Sequence, residues 1–276
     1  MDNFLLDPIL RNALTEDIGT GDVTTAATVE AGSMAGAELV AKEDFVLAGM
    51  PVAQRVFQLL DSNIAFEPLL QDGQTVKRGE VLAWIKGSSA MLLQGERVAL
   101  NLLQRLSGVA TLTRRFVDEI AGTNAIIVDT RKTTPGLRIL EKYAVRMGGG
   151  GNHRMALYDG VLIKENHVVA AGGIAAAVER AKRHVPHTLK VEVEVRDLDE
   201  VSQALNAGAD ILLLDNMNIS QLRAAVELVG DRAETEASGG VNLETVREIA
   251  ETGVKLISVG ALTHSYRSVD ISMLFT

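Results

Sequence analysis

The distribution of apolar and polar residues changes character near residue 124. Upstream, short alternating segments at 37–42, 64–70 and 81–85 read as half-buried strands. Residues 50–60 read as a helix, with Pro51 near its start, where a missing amide costs nothing. Residues 94–120 carry helical periodicity, interrupted around Ser107-Gly108, and 15–25 form a loop rich in turn residues. Residues 72–82 resemble the turn-and-strand unit of lipoyl- or biotinyl-type sandwiches; no lysine stands at a hairpin apex in the usual acceptor context, so the unit reads as structural. Downstream, apolar runs of strand length at 125–128, 161–163, 189–193, 211–214, 233–237 and 256–259 alternate with helical segments at 137–147, 174–184, 198–207, 219–229 and 243–251. Such alternation argues for parallel strands joined by right-handed crossovers. Six strands are too many for a ferredoxin-like module; an open doubly wound sheet and an α/β barrel both fit.

Composition narrows the function classes. The apolar residues are mostly Ala, Val, Leu and Ile with only 4% aromatics, which suits strands buried on both faces. A net charge of −9 argues against a general nucleic-acid binder. The absence of cysteine excludes disulfides, thiolate catalysis and cysteine-based zinc sites. The first residues lack a basic region and no apolar run approaches a membrane span, so the expected location is the cytoplasm, with no membrane or nucleic-acid partner.

Chemistry gathers where the strands end. Asp129-Thr130-Arg131-Lys132 follows the first and Lys164-Glu165-Asn166-His167 the second, Glu192-Val193-Glu194 ends the third, and Asp215-Asn216, Ser238-Gly239-Gly240 and Gly260-Ala261 mark the ends of the fourth, fifth and sixth. Steps of 21, 23 and 22 residues separate Glu194, Asp215, Ser238 and Gly260, the spacing of successive barrel units. In a barrel these positions share the C-terminal rim, where such enzymes place their active sites. Arg131, Lys132 and Lys164, with His153-Arg154 just before the second strand, can hold carboxylates. Glu194 and Asp215 suit sugar hydroxyls or hydrated magnesium. The late glycine turns, each opening a helix, can offer backbone N–H groups to a phosphate. Alone, each residue has a plainer reading: Lys132 as a solvated lysine, Glu194 as half of an ion pair, His153 as a packed or surface histidine. Their joint placement at six strand ends favours a site for an anionic acid, a sugar and phosphate.

These motifs together resemble quinolinate phosphoribosyltransferase. The resemblance is carried by Glu16-Asp17-Ile18-Gly19-Thr20-Gly21-Asp22, Glu96-Arg97-Val98-Ala99-Leu100-Asn101, Asp129 through Arg138, Glu141-Lys142-Tyr143, Gly149 through Arg154, Leu162 through His167, Glu192-Val193-Glu194, Leu214-Asp215-Asn216, Glu236 through Gly240 and Gly260 through Ser265. It covers nearly the whole chain. It implies an N-terminal α/β sandwich domain over 1–107, to which 267–276 return, and an incomplete, open α/β barrel over 108–266, in a homodimer. It implies that Thr130, Arg131, His153, Arg154 and Lys164 hold the quinolinate carboxylates, with Arg97 entering from the partner subunit. Lys132 would lie between acid and pyrophosphate, and Glu194 and Asp215 would bind ribose and Mg2+. Ser238, Gly239, Gly240, Gly260 and Ala261 would cradle the 5′-phosphate of phosphoribosyl pyrophosphate. Two other classes compete: a Schiff-base aldolase using Lys164, and a non-catalytic sugar-phosphate sensor on the same barrel.

Overall fold

The computed structural model describes residues 2–276. Two compact units emerge: one from the chain up to Leu112 together with Pro135–Gly149 and Tyr266–Thr276, the other from Thr113–Thr134 and Gly150–Ser265.

The first unit opens with α1 (Asn3–Ile18) and α2 (Val23–Thr28), capped by Asp2 and Asp22. The expected loop at 15–25 is therefore largely helical. Leu6, Leu10 and Leu14 form a single stripe at four-residue spacing, and they are the buried residues of α1. Then come β1 (Met34–Ala41), β2 (Phe45–Val46), α3 (Met50–Leu60), β3 (Ala65–Pro68), β4 (Thr75–Val76), β5 (Val81–Ser88) and α4 (Ser89–Glu119), whose residues from Thr113 on are assigned to the second unit. Arg55 of α3 meets Asp7 of α1 at 2.7 Å. Asp72 accepts from the amides of Gly49 and Met50 at the start of α3 and from the Tyr143 hydroxyl at 2.6 Å, which gives the 72–82 segment a structural task.

The expected interruption of α4 does not occur. Ser107 and Gly108 are contact points within a continuous helix. The Ser107 hydroxyl bonds both backbone groups of Ala48, and a side chain at Gly108 would stand 2.2 Å from the carbonyl oxygen of Arg267. After α4, the helix α5 (Arg138–Met147) also belongs to the first unit. Its Glu141 is fully buried and paired with Arg105, whose guanidinium lies 4.9 Å over the Tyr266 ring. The last strand of the chain, β12 (Ile271–Phe275), pairs antiparallel with β1, opposing Met273 to Leu39. The resulting sheet runs β12-β1-β5-β3, beside a two-stranded β2-β4 sheet.

The second unit is an open α/β barrel. Its strands are β6 (Ile126–Val128), β7 (Val161–Ile163), β8 (Val191–Val195), β9 (Ile211–Asp215), β10 (Glu234–Ser238) and β11 (Leu256–Ser258). All pair in parallel, in the order β6-β11-β10-β9-β8-β7, and the sheet stays open between β6 and β7. Gly151 bridges to Val128 in parallel, so the segment leading to Arg154 occupies the seam beside β6. The helices are α6 (Glu165–Ala171), α7 (Ile174–His184), α8 (Leu198–Asn206), α9 (Ile219–Val229), α10 (Val246–Ala250) and α11 (Ala261–His264). Asn218 and Gln221 cap α9 reciprocally. Val191, Val193 and Val195 are buried, and the alternate positions of β8 are Glu192 and Glu194. Three strands run past their expected ends. β8 begins and ends two residues late, so Glu194 lies within it, and Asp215 and Ser238 are the last residues of β9 and β10.

Candidate active site

Three side-chain clusters form in the second unit. In the seam, Asp129 anchors the backbone: its buried carboxylate accepts from the Asn152 side-chain amide at 2.6 Å and from the His153 amide at 2.9 Å. The Arg154 amide donates to His153 Nδ1 at 2.7 Å, and His153 Nε2 lies 3.0 Å from Glu192 and 3.7 Å from Glu236. Glu192 and Glu236 are buried, and Oε1 of each has no hydrogen-bond partner among the described residues. Burial, followed by the Glu192 carboxylate, pushes the pKa of Glu236 up to about 7.

Arg154 itself is half-buried. One terminal nitrogen donates to the Gly160 carbonyl at 2.9 Å, while Nε is buried without a hydrogen-bond partner among the described residues. Burial, and then the charge of Arg131, press its pKa down; Glu192 and Asp159 act against them. A guanidinium with an unused donor, close enough to a second guanidinium to be opposed by it, is a site short of an anion. A cavity of about 630 Å³ is lined by His153, Arg154, Glu192 and Glu236 and by residues at the N-terminal starts of strands, including Val161, Ile211 and Leu256. It does not include Lys164, Glu194, Asp215 or Ser238, so the seam arginine can be reached from a side other than the rim.

The second cluster lies at the rim. Lys164 Nζ meets Glu194 at 2.7 Å, and the lysine side chain is 51% exposed. An exposed, ion-paired amine lacks the apolar pocket that makes a Schiff-base lysine nucleophilic. Asp215, beyond Glu194 along the rim, accepts from the Asn216 side-chain amide at 2.9 Å. Asn216 is the only non-glycine with positive φ (53°) among the described residues, and its amide donates to the Ser238 carbonyl. Any side chain at Gly239 would fall 2.2 Å from Asn216 Oδ1, so the β9 and β10 ends approach only because this residue is glycine.

In the third cluster, the Thr263 hydroxyl donates to the Lys132 carbonyl, and the Lys132 amide donates to Thr130 Oγ1. A Cβ at Gly260 would stand 3.1 Å from Lys132 Cδ and from His264 Nε2. The expectation that both glycine turns open helices holds only for Gly260-Ala261, which starts the four-residue α11. After Gly239 and Gly240, with φ of 99° and 62°, five residues intervene before α10. The second turn therefore offers its amides as a backbone nest and not through a helix dipole.

Residues 22–107 match the family description "Quinolinate phosphoribosyl transferase, N-terminal domain", and residues 109–274 match the corresponding C-terminal domain. This chain belongs to the quinolinate phosphoribosyl transferase family. It is 45% identical over 273 residues to the probable nicotinate-nucleotide pyrophosphorylase [carboxylating] of Bacillus subtilis, covering 99% of this chain and 94% of that protein. It is 43% identical to the chloroplastic nicotinate-nucleotide pyrophosphorylase [carboxylating] of Arabidopsis thaliana, over 97% and 82%. The crystal structure of NadC from Streptococcus pyogenes superposes with a TM-score of 0.96 at 41% identity, covering 100% of this chain and 98% of that one.

Among the residues that the quinolinate phosphoribosyl transferase resemblance assigns, the structure joins Lys164 to Glu194, Lys132 to Thr130 and Gly260, and Asp215 through Asn216 to Ser238 and Gly239. Arg131 and Arg154 are linked by charge. Arg97 lies exposed on α4 in the first unit. Glu192, Glu236 and Asn216 stand in the motifs but carry no assigned role. The signal for the first two was available: acids at alternate positions in Val191-Glu192-Val193-Glu194-Val195 and Glu234-Thr235-Glu236 must face the barrel interior if the valines face the helices.

Proposed function

We propose that this chain transfers the phosphoribosyl group of phosphoribosyl pyrophosphate to quinolinate, with decarboxylation, giving nicotinate mononucleotide, pyrophosphate and CO2 in de novo NAD biosynthesis. One observation supports it most directly beside family membership. Arg154 holds a buried, unused Nε–H close to a second guanidinium, which calls for a planar anion. Arg131, Arg154 and Lys164 take the two carboxylates of the acid, Thr130 lines the same loop, and Lys132 stands between the acid and the pyrophosphate. The turns at Ser238-Gly239-Gly240 and Gly260-Ala261 take the 5′-phosphate through backbone amides.

The pyridine nitrogen donates its lone pair to C1 of the ribose as the C1–O bond breaks and pyrophosphate departs. Positive charge grows at C1, where the preorganised carboxylates of Glu194 and Asp215 oppose it. The ring nitrogen is then cationic. The bond to the adjacent carboxylate breaks, CO2 leaves, and the electron pair stays on the ring carbon beside the nitrogen until a proton from water neutralises it. The nucleophile is already a free lone pair, so no general base is needed, and the protein serves chiefly to orient and desolvate.

Glu194 and Asp215 also suit Mg2+. The ion needs only one or two protein carboxylates when substrate phosphates and water complete its shell, and when bound it would neutralise charge on the departing pyrophosphate. The protein acts as a homodimer in which Arg97 serves the partner's site; its exposed place on α4 and the family resemblance support this. The chain works as a cytoplasmic enzyme, a reading supported by the absence, among the described residues, of any helix long and apolar enough to cross a membrane. The test is an assay of quinolinate or nicotinate with phosphoribosyl pyrophosphate and Mg2+. Quinolinate should be consumed with formation of nicotinate mononucleotide. A cation left without its carboxylate costs roughly 1–3 kcal/mol or more, so nicotinate should lag by about tenfold or beyond. Equal turnover of the two acids defeats the proposal.

A further inference from the structure

We propose that Asn216 is a positioning residue for phosphoribosyl pyrophosphate. It ties the carboxylate of Asp215 to the turn at Ser238-Gly239-Gly240 and so sets the spacing between the ribose and phosphate subsites. The inference rests on the roles given above to Asp215 and to that turn. β9 and β10 pair in parallel up to Asp215 opposite Ser238. One step further the Asn216 amide donates to the Ser238 carbonyl at 2.8 Å, which carries the ladder past the last residue of β9. There the backbone leaves the strand direction, because φ at Asn216 is 53°. A Cβ disfavours this left-handed region, and asparagine is among the few side chains that tolerate it. The carboxamide folds back on its own strand end, where Nδ2 donates to Asp215 Oδ2 at 2.9 Å. Its Oδ1 and Cγ fill the space that a Cβ on Gly239 would need, 2.2 and 2.5 Å from that position. One side chain therefore spans two strand ends.

The two ends that it joins have different tasks. A carboxylate at a strand end is free to rotate, and a donor on Oδ2 fixes its plane and leaves Oδ1 for a ribose hydroxyl or an ion. Such a bond to a charged acceptor is stronger than a neutral one. Gly239 and Gly240, with φ of 99° and 62°, turn their amides into the nest that suits a phosphate. Covalent bonds fix the distance from ribose to 5′-phosphate in the substrate. A site that takes both groups therefore gains from holding its own two ends at a matching separation before binding. Other residues at 216 supply less. Aspartate would set a second carboxylate against Asp215 and bring no donor, and glycine would accept the backbone but offer Asp215 nothing. Asparagine combines tolerance of the left-handed region with a short donor.

The test separates the amide from the backbone. Asn216→Gly keeps the left-handed conformation and removes only the carboxamide. Its KM for phosphoribosyl pyrophosphate should rise roughly tenfold, while the KM for quinolinate moves by less than about twofold. Asn216→Asp, nearly the same in shape, should lose at least as much, and Asn216→Ala, which adds backbone strain, should lose most. Calorimetric titration with phosphoribosyl pyrophosphate and Mg2+, with and without quinolinate, should give the same ranking in Kd. Because Asn216 acts largely through Asp215, the losses should not add. In an Asp215→Ala background, Asn216→Gly should weaken phosphoribosyl pyrophosphate binding by about threefold or less. A glycine variant with wild-type affinity, equal rises in both KM values, or losses that add in full overturn the inference. If Asn216→Gly does not fold, Asn216→Asp, alone and in the Asp215→Ala background, decides by the same criteria. A wild type that binds phosphoribosyl pyrophosphate but leaves quinolinate unreacted refutes the proposed function, and the Kd ranking still decides for or against Asn216. A wild type that binds no phosphoribosyl pyrophosphate overturns both.

Discussion

Replacing Glu236 by glutamine should remove a pH dependence of stability that one buried carboxyl imposes. Glu236 is 1% exposed, and burial together with Glu192 raises its pKa from the ordinary 4.5 to about 7. Between those values the folded protein holds a proton that the unfolded chain releases. Folded molecules then bind more protons than unfolded ones, so stability falls as pH rises through the window from about 4.5 to about 7 and levels off above it. At about 1.4 kcal/mol per pH unit the fall is on the order of 3 kcal/mol. The Glu236→Gln side chain has nearly the same shape, cannot titrate, and can donate to Glu192 at any pH. Urea unfolding of both proteins from pH 4.5 to 8 supplies the measurement. Carboxylates with depressed pKa, such as Glu234 beside Lys190 and Glu43 beside Arg267, contribute equally to both proteins and cancel in the difference. The variant should gain on the wild type steadily as pH rises, by about 3 kcal/mol in all. A difference that stays flat across the window shows that Glu236 titrates normally and that the interior is wetter than the geometry indicates.

Arg154→Lys keeps the charge but loses the planar fork, so kcat/KM for quinolinate should drop by roughly 10–100-fold in steady-state assays; wild-type efficiency would remove Arg154 as a carboxylate ligand. Chelation should abolish activity, with Mg2+ restoring it, and Asp215→Ala should raise both the Mg2+ requirement and the KM for phosphoribosyl pyrophosphate; undiminished activity after exhaustive chelation rules out the metal role. Arg97→Ala and Lys164→Ala should each be nearly inactive, yet regain activity when unfolded and refolded together, because one site of a mixed dimer then receives both intact residues. Mixed dimers that remain inactive show that Arg97 serves its own chain.

Regular elements with a strong apolar stripe were legible in the sequence at residue precision. The helices α3, α7 and α9 run as their periodicity predicts, helped by Pro51 and by the reciprocal Asn218–Gln221 cap. Legibility failed where tertiary contact decides. Ser107-Gly108 reads as a helix break in isolation, because only the folded chain brings Ala48 and Arg267 against that point. Helix α6 is not among the helices the periodicity predicts, since none of its residues is buried and it therefore carries no apolar stripe. In the site, charged residues beyond strands announced themselves, whereas Glu192 and Glu236 lie inside expected strands, where only the folded barrel shows them buried beside His153. Asn216 stands at the fourth strand end in the sequence, but its left-handed backbone and its closeness to Gly239 appear only in the fold.

The pairing of β12 with β1 has a consequence for biosynthesis. The first unit is first to leave the ribosome, yet it is the last that can be finished, because its sheet lacks one edge until residues 271–275 have been made. Until then β1 presents an unpaired ladder beside the buried Ala37, Leu39 and Ala41, the kind of edge that recruits strands from other chains. The barrel, by contrast, has all six strands once Ser258 has emerged. The order of completion therefore runs against the order of synthesis, and throughout that interval the opening strand is open to pairing with strands of other chains.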